Sequence, residues 1–283
     1  MIEKQASAKT ALRSLDLRAR KNFGQNFMTR ESDLRFIADA LDSRPGETVL
    51  EIGPGLGALT KVLLEKDLKV LAVEKDRSLA AYLSENFPGS SLQVLSRDIL
   101  EFDPASEAAL KAPAVVAGNI PYNITSPILF WLIEHRRFFR RAVLTMQKEV
   151  AERLTGKPGT KVWGALSVSV QAYADIVFLK KISKGNFYPV PKVDSAVVRL
   201  DFLEKPRYPE RLGELFHETV ARAFQKRRKT LLNALEDPRK GLPKERLKTV
   251  LQDTGIDSRR RPETLSVAEW ISLTARLSKM ADK

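Results

Sequence analysis

The sequence predicts an α/β chain: a doubly wound parallel sheet followed by a small all-helical C-terminal domain. Three observations carry this. Between residue 31 and about residue 200, short apolar runs alternate with segments of helical spacing, the signature of a parallel sheet covered by helices. The first apolar run, Thr48–Ile52, ends in a glycine-rich turn that leads into a helical segment. Beyond Leu203–Glu210, only a 3.6-residue period remains.

The elements follow in order. Glu31–Leu41 places Leu34, Ile37, Ala38 and Leu41 at helical spacing. Thr48–Ile52 reads as a strand and Leu59–Leu64 as a helix, then Lys69–Val73 as a strand. Ser78–Asn86 is a helix stopped by Pro88-Gly89, and Leu92–Leu95 a third strand. Ala114–Ala117 is a strand and Pro127–Glu134 a helix; Ala142–Met146 is a strand and Lys148–Leu154 a helix. Residues 166–182 and 193–202 read as a long antiparallel pair joined by the Gly- and Pro-rich loop SKGNFYPVPKVDS. Two prolines and several charges mark Leu203–Glu210 as a linker. After it, Leu212, Leu215, Phe216, Val220, Ala223 and Phe224 form one apolar stripe, and Thr230–Leu235, Lys244–Leu251 and Val267–Leu277 supply further helices. The expected domains are a basic arm (1–21), a sheet domain (22–205) and a helical domain (206–283).

Of 283 residues, 48 are Lys or Arg and 35 Asp or Glu, giving a net charge of +13. That excess favours a polyanionic partner, nucleic acid before an anionic membrane surface. No apolar run approaches the ~20 residues that span a bilayer. The basic segment MIEKQASAKTALRSLDLRARK lacks a contiguous apolar core, so it reads as an arm and not as a secretory signal. Its Arg13, Arg18, Arg20 and Lys21 are candidate phosphate contacts. Cysteine is absent, which excludes disulfides, Cys-ligated metal and Cys nucleophiles and fits a cytoplasmic protein. The two histidines, His135 and His217, show no ligand pattern, so no metal is expected and both read as surface or helix-end residues.

VLEIGPGLGALT (Val49–Thr60) places Gly53, Gly55 and Gly57 at alternate positions between strand and helix. They let the backbone turn sharply and approach a ligand closely. The spacing differs from G-x-G-x-x-G, and there is no Lys-Ser/Thr pair of the phosphate-binding loop. Glu74 ends the second strand about 20 residues on, where a carboxylate accepts both hydroxyls of a ribose. Asp98 ends the third strand, placed to accept from an adenine amino group, and Glu51 is placed to balance a positive charge. A ribose, an adenine, a cation and no phosphate describe S-adenosylmethionine.

GNIPYNITSP (Gly118–Pro127) follows the fourth strand, at the same carboxyl edge. A base's exocyclic amine is a poor nucleophile, because its lone pair is delocalised into the ring. The Asn119 side-chain oxygen and the Ile120 carbonyl are candidates to accept its two N–H groups and free that pair. Pro121 stiffens the turn, and the Tyr122 ring is placed to stack on a base swung out of its helix. Phe187, in the Pro-rich loop, is a second candidate for stacking, alongside the reading of a buried loop anchor. QKRRKTLLNAL carries Lys226, Arg227, Arg228 and Lys229 in a row, and SRRRPETL adds Arg259, Arg260 and Arg261. Such clusters supply sequence-independent phosphate contacts.

KNFGQNFMTR, VLEIGPGLGALT, VEKD, RDIL, GNIPYNITSPILF, MQKEVAERL and NFYPVPKVDSAVVRL together resemble the KsgA-type rRNA adenine dimethyltransferases, relatives of the erythromycin-resistance methyltransferases. The resemblance runs from residue 21 to about residue 275. It implies a Rossmann-like methyltransferase sheet and a small helical rRNA-binding domain. It implies S-adenosyl-L-methionine as donor and S-adenosyl-L-homocysteine as product. The implied reaction is N6,N6-dimethylation of two adjacent adenosines in the 3′-terminal hairpin loop of 16S rRNA, within an immature small subunit. Carried onto this chain, the implied cofactor residues are Gln25, Asn26, Met28, Gly53, Glu74, Asp98 and Asn119, with Gln25 and Asn26 over the methionine end. Lys75 and Ile99, beside Glu74 and Asp98 in the same motifs, join that set. Met28 stands where Leu is usual, and Ile120 where Leu is common; both exchanges are apolar. A monomer is expected. Three other functions stay open: a large-subunit rRNA methyltransferase of the resistance type, a non-catalytic assembly factor, and a DNA adenine methyltransferase, against which Ile120 argues.

Overall fold

A computed structural model describes residues 24–89, 91–238 and 242–281. The basic arm and its four candidate contacts lie outside the described residues. Seven strands form one mixed sheet in the order β4-β3-β2-β5-β6-β9-β7. In sequence these are β2 (Thr48–Ile52), β3 (Lys69–Glu74), β4 (Leu92–Ser96), β5 (Ala114–Asn119), β6 (Phe139–Gln147), β7 (Ala174–Ile182) and β9 (Ser195–Phe202). β2 pairs in parallel with both β3 and β5, and β6 lies parallel to β5 but antiparallel to β9. A separate two-stranded pair joins β1 (Phe27–Met28) to β8 (Phe187–Tyr188).

From β2 the chain winds outward through β3 and β4, then returns to lay β5 on the other side of β2. That reversal opens a crevice beyond the carboxyl ends of β2 and β5, the place where doubly wound sheets bind ligands. Both faces of the central strands are buried, as a parallel sheet requires. Val49, Val70, Val115, Ala117, Val143 and Val197 share one core with Leu34 and Ile37 of α1 (Glu31–Ala40) and with Val62 and Leu63 of α2 (Ala58–Leu64). Leu50, Leu71, Val116, Leu144 and Val198 alternate with them and are equally buried, so they face the opposite side. α3 (Arg77–Asn86) starts where the Asp76 carboxylate accepts from the Ser78 N–H at 3.1 Å, an N-cap worth about 1 kcal/mol.

Four strands run further than the pattern predicted, β3 and β4 by a single residue and β5 and β6 by more. β5 extends to Asn119 and β6 to Gln147, so Asn119 is the last residue of a strand, held in register with Thr145. The larger difference lies at 166–173, expected as strand. After α4 (Thr125–Glu134) and α5 (Lys148–Leu154), Ala165–Gln171 is helix α6, and β7 begins only at Ala174. The alternation in ALSVSVQ misleads because Ser167, Val168, Ser169 and Val170 are all buried, which erases the polar face that tells the two periods apart. The Ser167 hydroxyl accepts from the Gly164 N–H and donates to the Arg153 carbonyl, which starts the helix.

The described residues cluster into two compact units. One comprises those up to Ala151 with Ile176–Phe202; the other comprises Glu152–Asp175 with those from Leu203 onward. Residues 152–175 therefore group with the C-terminal helices and not with the sheet, unlike the single boundary expected at 205. The expected linker is tied into the same helical unit. The Leu203 and Arg207 N–H groups donate to the carbonyls of Tyr173 and Ala172, both at 2.9 Å. That unit contains α7 (Gly213–Gln225), α8 (Leu231–Leu235), α9 (Lys244–Asp253) and α10 (Val267–Ala281). Within it His217 is no surface residue. Its ring stacks on Tyr173 and takes a 2.7 Å hydrogen bond with that hydroxyl, and burial pushes its pKa down.

Candidate functional site

A cavity of about 650 Å³ occupies the predicted crevice. The carboxyl ends of β2, β3 and β5 and the turn after β4 line it, with the segment from Gly24 to Thr29 forming a further wall. Of the residues expected to hold a cofactor, Gln25, Asn26, Met28, Glu51, Gly53 and Gly55 reach this cavity. Glu74, Lys75, Asp98, Ile99 and Asn119 reach it too, as does Pro121, expected to stiffen the turn. Four of the candidate site residues do not line this cavity. Gly57 does not line it: with φ +78°, a Cβ there would meet Phe87 at 2.5 Å and Leu83 at 2.7 Å, so this glycine serves helix packing. The Ile120 side chain is buried and outside it, leaving its backbone as the part able to act. Tyr122 lines a second cavity, described below, and Phe187 lines neither.

The glycines divide the work. A Cβ on Gly53 (φ +64°) would meet only Pro121, at 4.0 Å, so its open side faces the cavity. A Cβ on Gly55 would overlap the Phe27 ring at 2.8 Å, so here the missing side chain admits a protein ring. Pattern reading found the turn but not which glycine faced what.

Three of the four carboxylates that line the cavity are in different states. Glu74 accepts from the Gly55 N–H at 3.1 Å and the Asp76 N–H at 2.9 Å, one bond on each oxygen. Burial raises its pKa, against the pull of those two N–H groups. Asp98 is also penalised by burial, yet the Lys75 ammonium at 2.5 Å and the Leu100 N–H outweigh that and hold its pKa down. Glu51 is 1% exposed, with the Thr60 hydroxyl 2.6 Å away. Burial first, and the Glu74 charge behind it, push its pKa up to about 8. The folded protein thus holds a proton on Glu51 that the unfolded chain releases near the ordinary pKa of ~4.3. Stability from this group is complete below pH ~4.3 and is lost as pH rises through about 8. The loss should reach a few kcal/mol, at ~1.4 kcal/mol per pH unit. Thermal midpoints of the wild type should fall relative to Glu51→Gln across that window; parallel curves would refute a buried, protonated Glu51.

Asn119 stands at a junction. Its side-chain N–H donates to the Asn26 carbonyl at 2.6 Å, which orients the amide so that Oδ1 is the free acceptor end. The Ile120 N–H donates to the Thr145 carbonyl at 3.1 Å. Gly24, Gln25 and Asn26 also line a second cavity of about 340 Å³, whose other walls are Tyr122, Gln147 and the Pro189–Val193 loop. One backbone segment therefore separates the two cavities, and the residue that pins it is Asn119. The Tyr122 hydroxyl lies 2.5 Å from the Ser195 hydroxyl, 73 residues away in sequence, so no local pattern signalled that contact. Phe187 is 2% exposed, paired with Met28 and part of the sheet core, which makes it the buried anchor of its loop and not a ring offered to a base.

The basic candidates also divide. Lys226, Arg228 and Lys229 are exposed, and no carboxylate pairs with them among the described residues. Arg227 donates to the Lys161 carbonyl at 2.7 Å. Arg259 forms a two-point pair with Asp257 at the surface. Arg260 is spent inside the helical unit on Glu269 and Thr264, so it is a structural residue.

Residues 16–279 match the sequence model of one family, ribosomal RNA adenine dimethylase. The chain belongs to this family. Curated relatives of the dimethylase include the ribosomal RNA small subunit methyltransferases A of Geobacter metallireducens and Myxococcus xanthus. The first is 41% identical, over 96% of this chain and 100% of the relative. The second is 42% identical, over 94% of each. Among solved structures, the 23S rRNA methyltransferase ErmE superposes with a TM-score of 0.70 at 30% identity, covering 89% of this chain and 99% of that one. A dimethyladenosine transferase from Plasmodium falciparum reaches 0.79 at 24% identity, covering 90% and 98%, and shows the shared fold. The dimethylase is thus an enzyme with S-adenosylmethionine as methyl donor. No helix among the described residues is long and apolar enough to cross a membrane.

Proposed function

We propose that this dimethylase converts two adjacent adenosines, in the 3′-terminal hairpin loop of 16S rRNA, to N6,N6-dimethyladenosine. It acts in the cytoplasm, as a monomer, on an immature small subunit. The observation that carries the reading is the Asn119 side chain, which lines the first cavity and bonds the segment shared with the second, its oxygen left as an acceptor. The two curated relatives at 41 and 42% identity bear the small-subunit name, against 30% for the 23S enzyme, which favours this substrate over large-subunit rRNA.

The residues lining the first cavity suit the donor: Gly53 leaves backbone open to a ligand, Glu74 would take the ribose hydroxyls, Asp98 the adenine amino group, and Gln25 and Asn26 would cover the methionine end. When bound, S-adenosylmethionine supplies an electrophilic methyl on a cationic sulfur. The protein prepares the other partner. Tyr122 stacks on the flipped adenine in the second cavity; such stacking contributes ~1–3 kcal/mol per base. The Asn119 oxygen and the Ile120 carbonyl accept the two N–H groups of the amine and draw its lone pair out of the ring. Because the methyl would leave a cationic sulfur as a neutral thioether, the amine would need no deprotonation before attack, and the methylated amine would afterwards lose its proton to water.

Charge complementarity adds a pH signature. A cationic ligand beside Glu51 favours its ionised form, so binding expels the proton that burial retains. Donor affinity should therefore rise with pH up to about 8 and stay flat in Glu51→Gln. Lys226, Arg228 and Lys229 grip RNA phosphates. Replacing all three by Ala should lower the slope of log affinity against log salt by roughly 0.7–0.9 per lost contact. An unchanged affinity at moderate salt would remove this segment from the interface.

The deciding experiment offers labelled S-adenosylmethionine with undermethylated small subunits, naked large-subunit rRNA and duplex DNA. Label in dimethyladenosine on the small subunit alone is expected. Label on 23S rRNA would move the protein to the resistance branch. Bound donor without any transfer would favour an assembly factor.

A further inference from the structure

We infer that Ser195 is a positioning residue for Tyr122, fixing the stacking ring against the same sheet that carries Asn119. The inference rests on the functional reading above. Ser195 touches neither cavity; it acts only through the Tyr122 hydroxyl, 2.5 Å from its own.

The backbone around Ser195 is tied into the sheet. The residue is fully buried as the first of β9, in register with Gln147 at the end of β6. The preceding residue is tied on both sides: the Asp194 carbonyl accepts from the Lys148 N–H, and its carboxylate accepts from the Lys184 N–H, both at 3.0 Å. Alternation along the strands gives the direction. Val197, Val143 and Ala117 share one core face, so Ser195, Thr145 and Asn119 continue that face toward the carboxyl edge. The acceptor for the amine and the anchor for the ring thus project from one face of three hydrogen-bonded strands.

Tyr122 is then fixed at two ends. Its backbone follows Pro121 and opens the 3-10 turn Tyr122–Ile124, and its hydroxyl ends on β9. A ring held only by its backbone would sample other rotamers, and a misplacement of ~1 Å at a reacting centre can lower the rate ~10²-fold. A hydroxyl left in a half-buried place without its partner also disfavours the stacked position.

The test compares the wild type with Ser195→Ala, Tyr122→Phe and the double variant, using undermethylated small subunits. It reads kcat, KM for the subunit, affinity for S-adenosylmethionine and the thermal midpoint. Ser195→Ala should lower kcat about tenfold and leave donor affinity within twofold. Tyr122→Phe should fall by a similar factor. The double variant should be no worse than the poorer single one, because the ring no longer carries a hydroxyl to misplace. Multiplying losses in the double variant, or wild-type kcat in Ser195→Ala, would overturn the inference. So would a kcat loss that tracks a lowered midpoint and weakened donor binding, which marks a merely structural serine. A wild-type enzyme that transfers no methyl would instead overturn the functional reading, and this inference with it.

Discussion

Asn119→Ala should lose roughly 10²–10³-fold in kcat, the size seen when one aligned polar group is removed from a reacting centre. Donor affinity should stay within an order of magnitude, because Glu74, Asp98 and the Gly53 backbone are untouched. The two effects separate because of what Asn119 does in the fold. Its N–H group holds the Asn26 carbonyl at 2.6 Å, and its oxygen is the end left for the substrate. Alanine removes both, so a modest rise in donor Kd reports the loosened Asn26 segment, while the kcat loss reports the missing acceptor. Asn119→Asp sharpens the point. It retains shape and an acceptor, but sets a carboxylate against the Asn26 carbonyl. It should loosen donor binding more than alanine does. Single-turnover kinetics with saturating donor check the first claim and calorimetry the second. Normal turnover in Asn119→Ala would sink the proposed activation of the amine.

Glu74→Gln should weaken donor binding by roughly 10–100-fold while leaving kcat at saturating donor within a few-fold of wild type. Each Glu74 oxygen already accepts one backbone N–H, from Gly55 and from Asp76. The isosteric amide turns one oxygen into a donor that faces another donor. Hydrogen bonds to a charged group contribute ~1.5–3 kcal/mol, so losing one is worth that range of affinity. The Gly55 turn packs on Phe27, a cavity wall, so the disturbance spreads to the wall itself. Titration with S-adenosyl-L-homocysteine reads the effect without turnover. Affinity within twofold of wild type would remove Glu74, and the turn it braces, from donor binding.

Several elements were open to reading because their signals are local. Val49–Thr60 is a strand, a glycine turn and a helix within twelve residues, and the backbone follows from φ preferences alone. Glu74, Asp98 and Asn119 sit at or just past strand ends, and a parallel sheet aligns all such ends at one edge. Phe187 shows the opposite case. An aromatic ring in a Pro-rich loop looks the same in sequence whether it meets solvent, a base or the core. Pairing of β8 with β1 decides it, and those partners lie far apart in the chain. Arg260 reads as one of three basic neighbours until Glu269 is brought beside it.

The sequence by itself determined the order of the elements from Glu31 to Leu154, the glycine turn, the carboxylates and the Asn119–Tyr122 turn, since each depends on residues a few positions apart. Tertiary structure alone decided which glycine faces ligand and which faces Phe27 or Phe87, and that residues 152–175 join the helical unit. It alone set the proton on Glu51 and the Ser195 anchor on Tyr122. Burial and long-range pairing create these properties, and neither exists until distant segments exclude water from the same place.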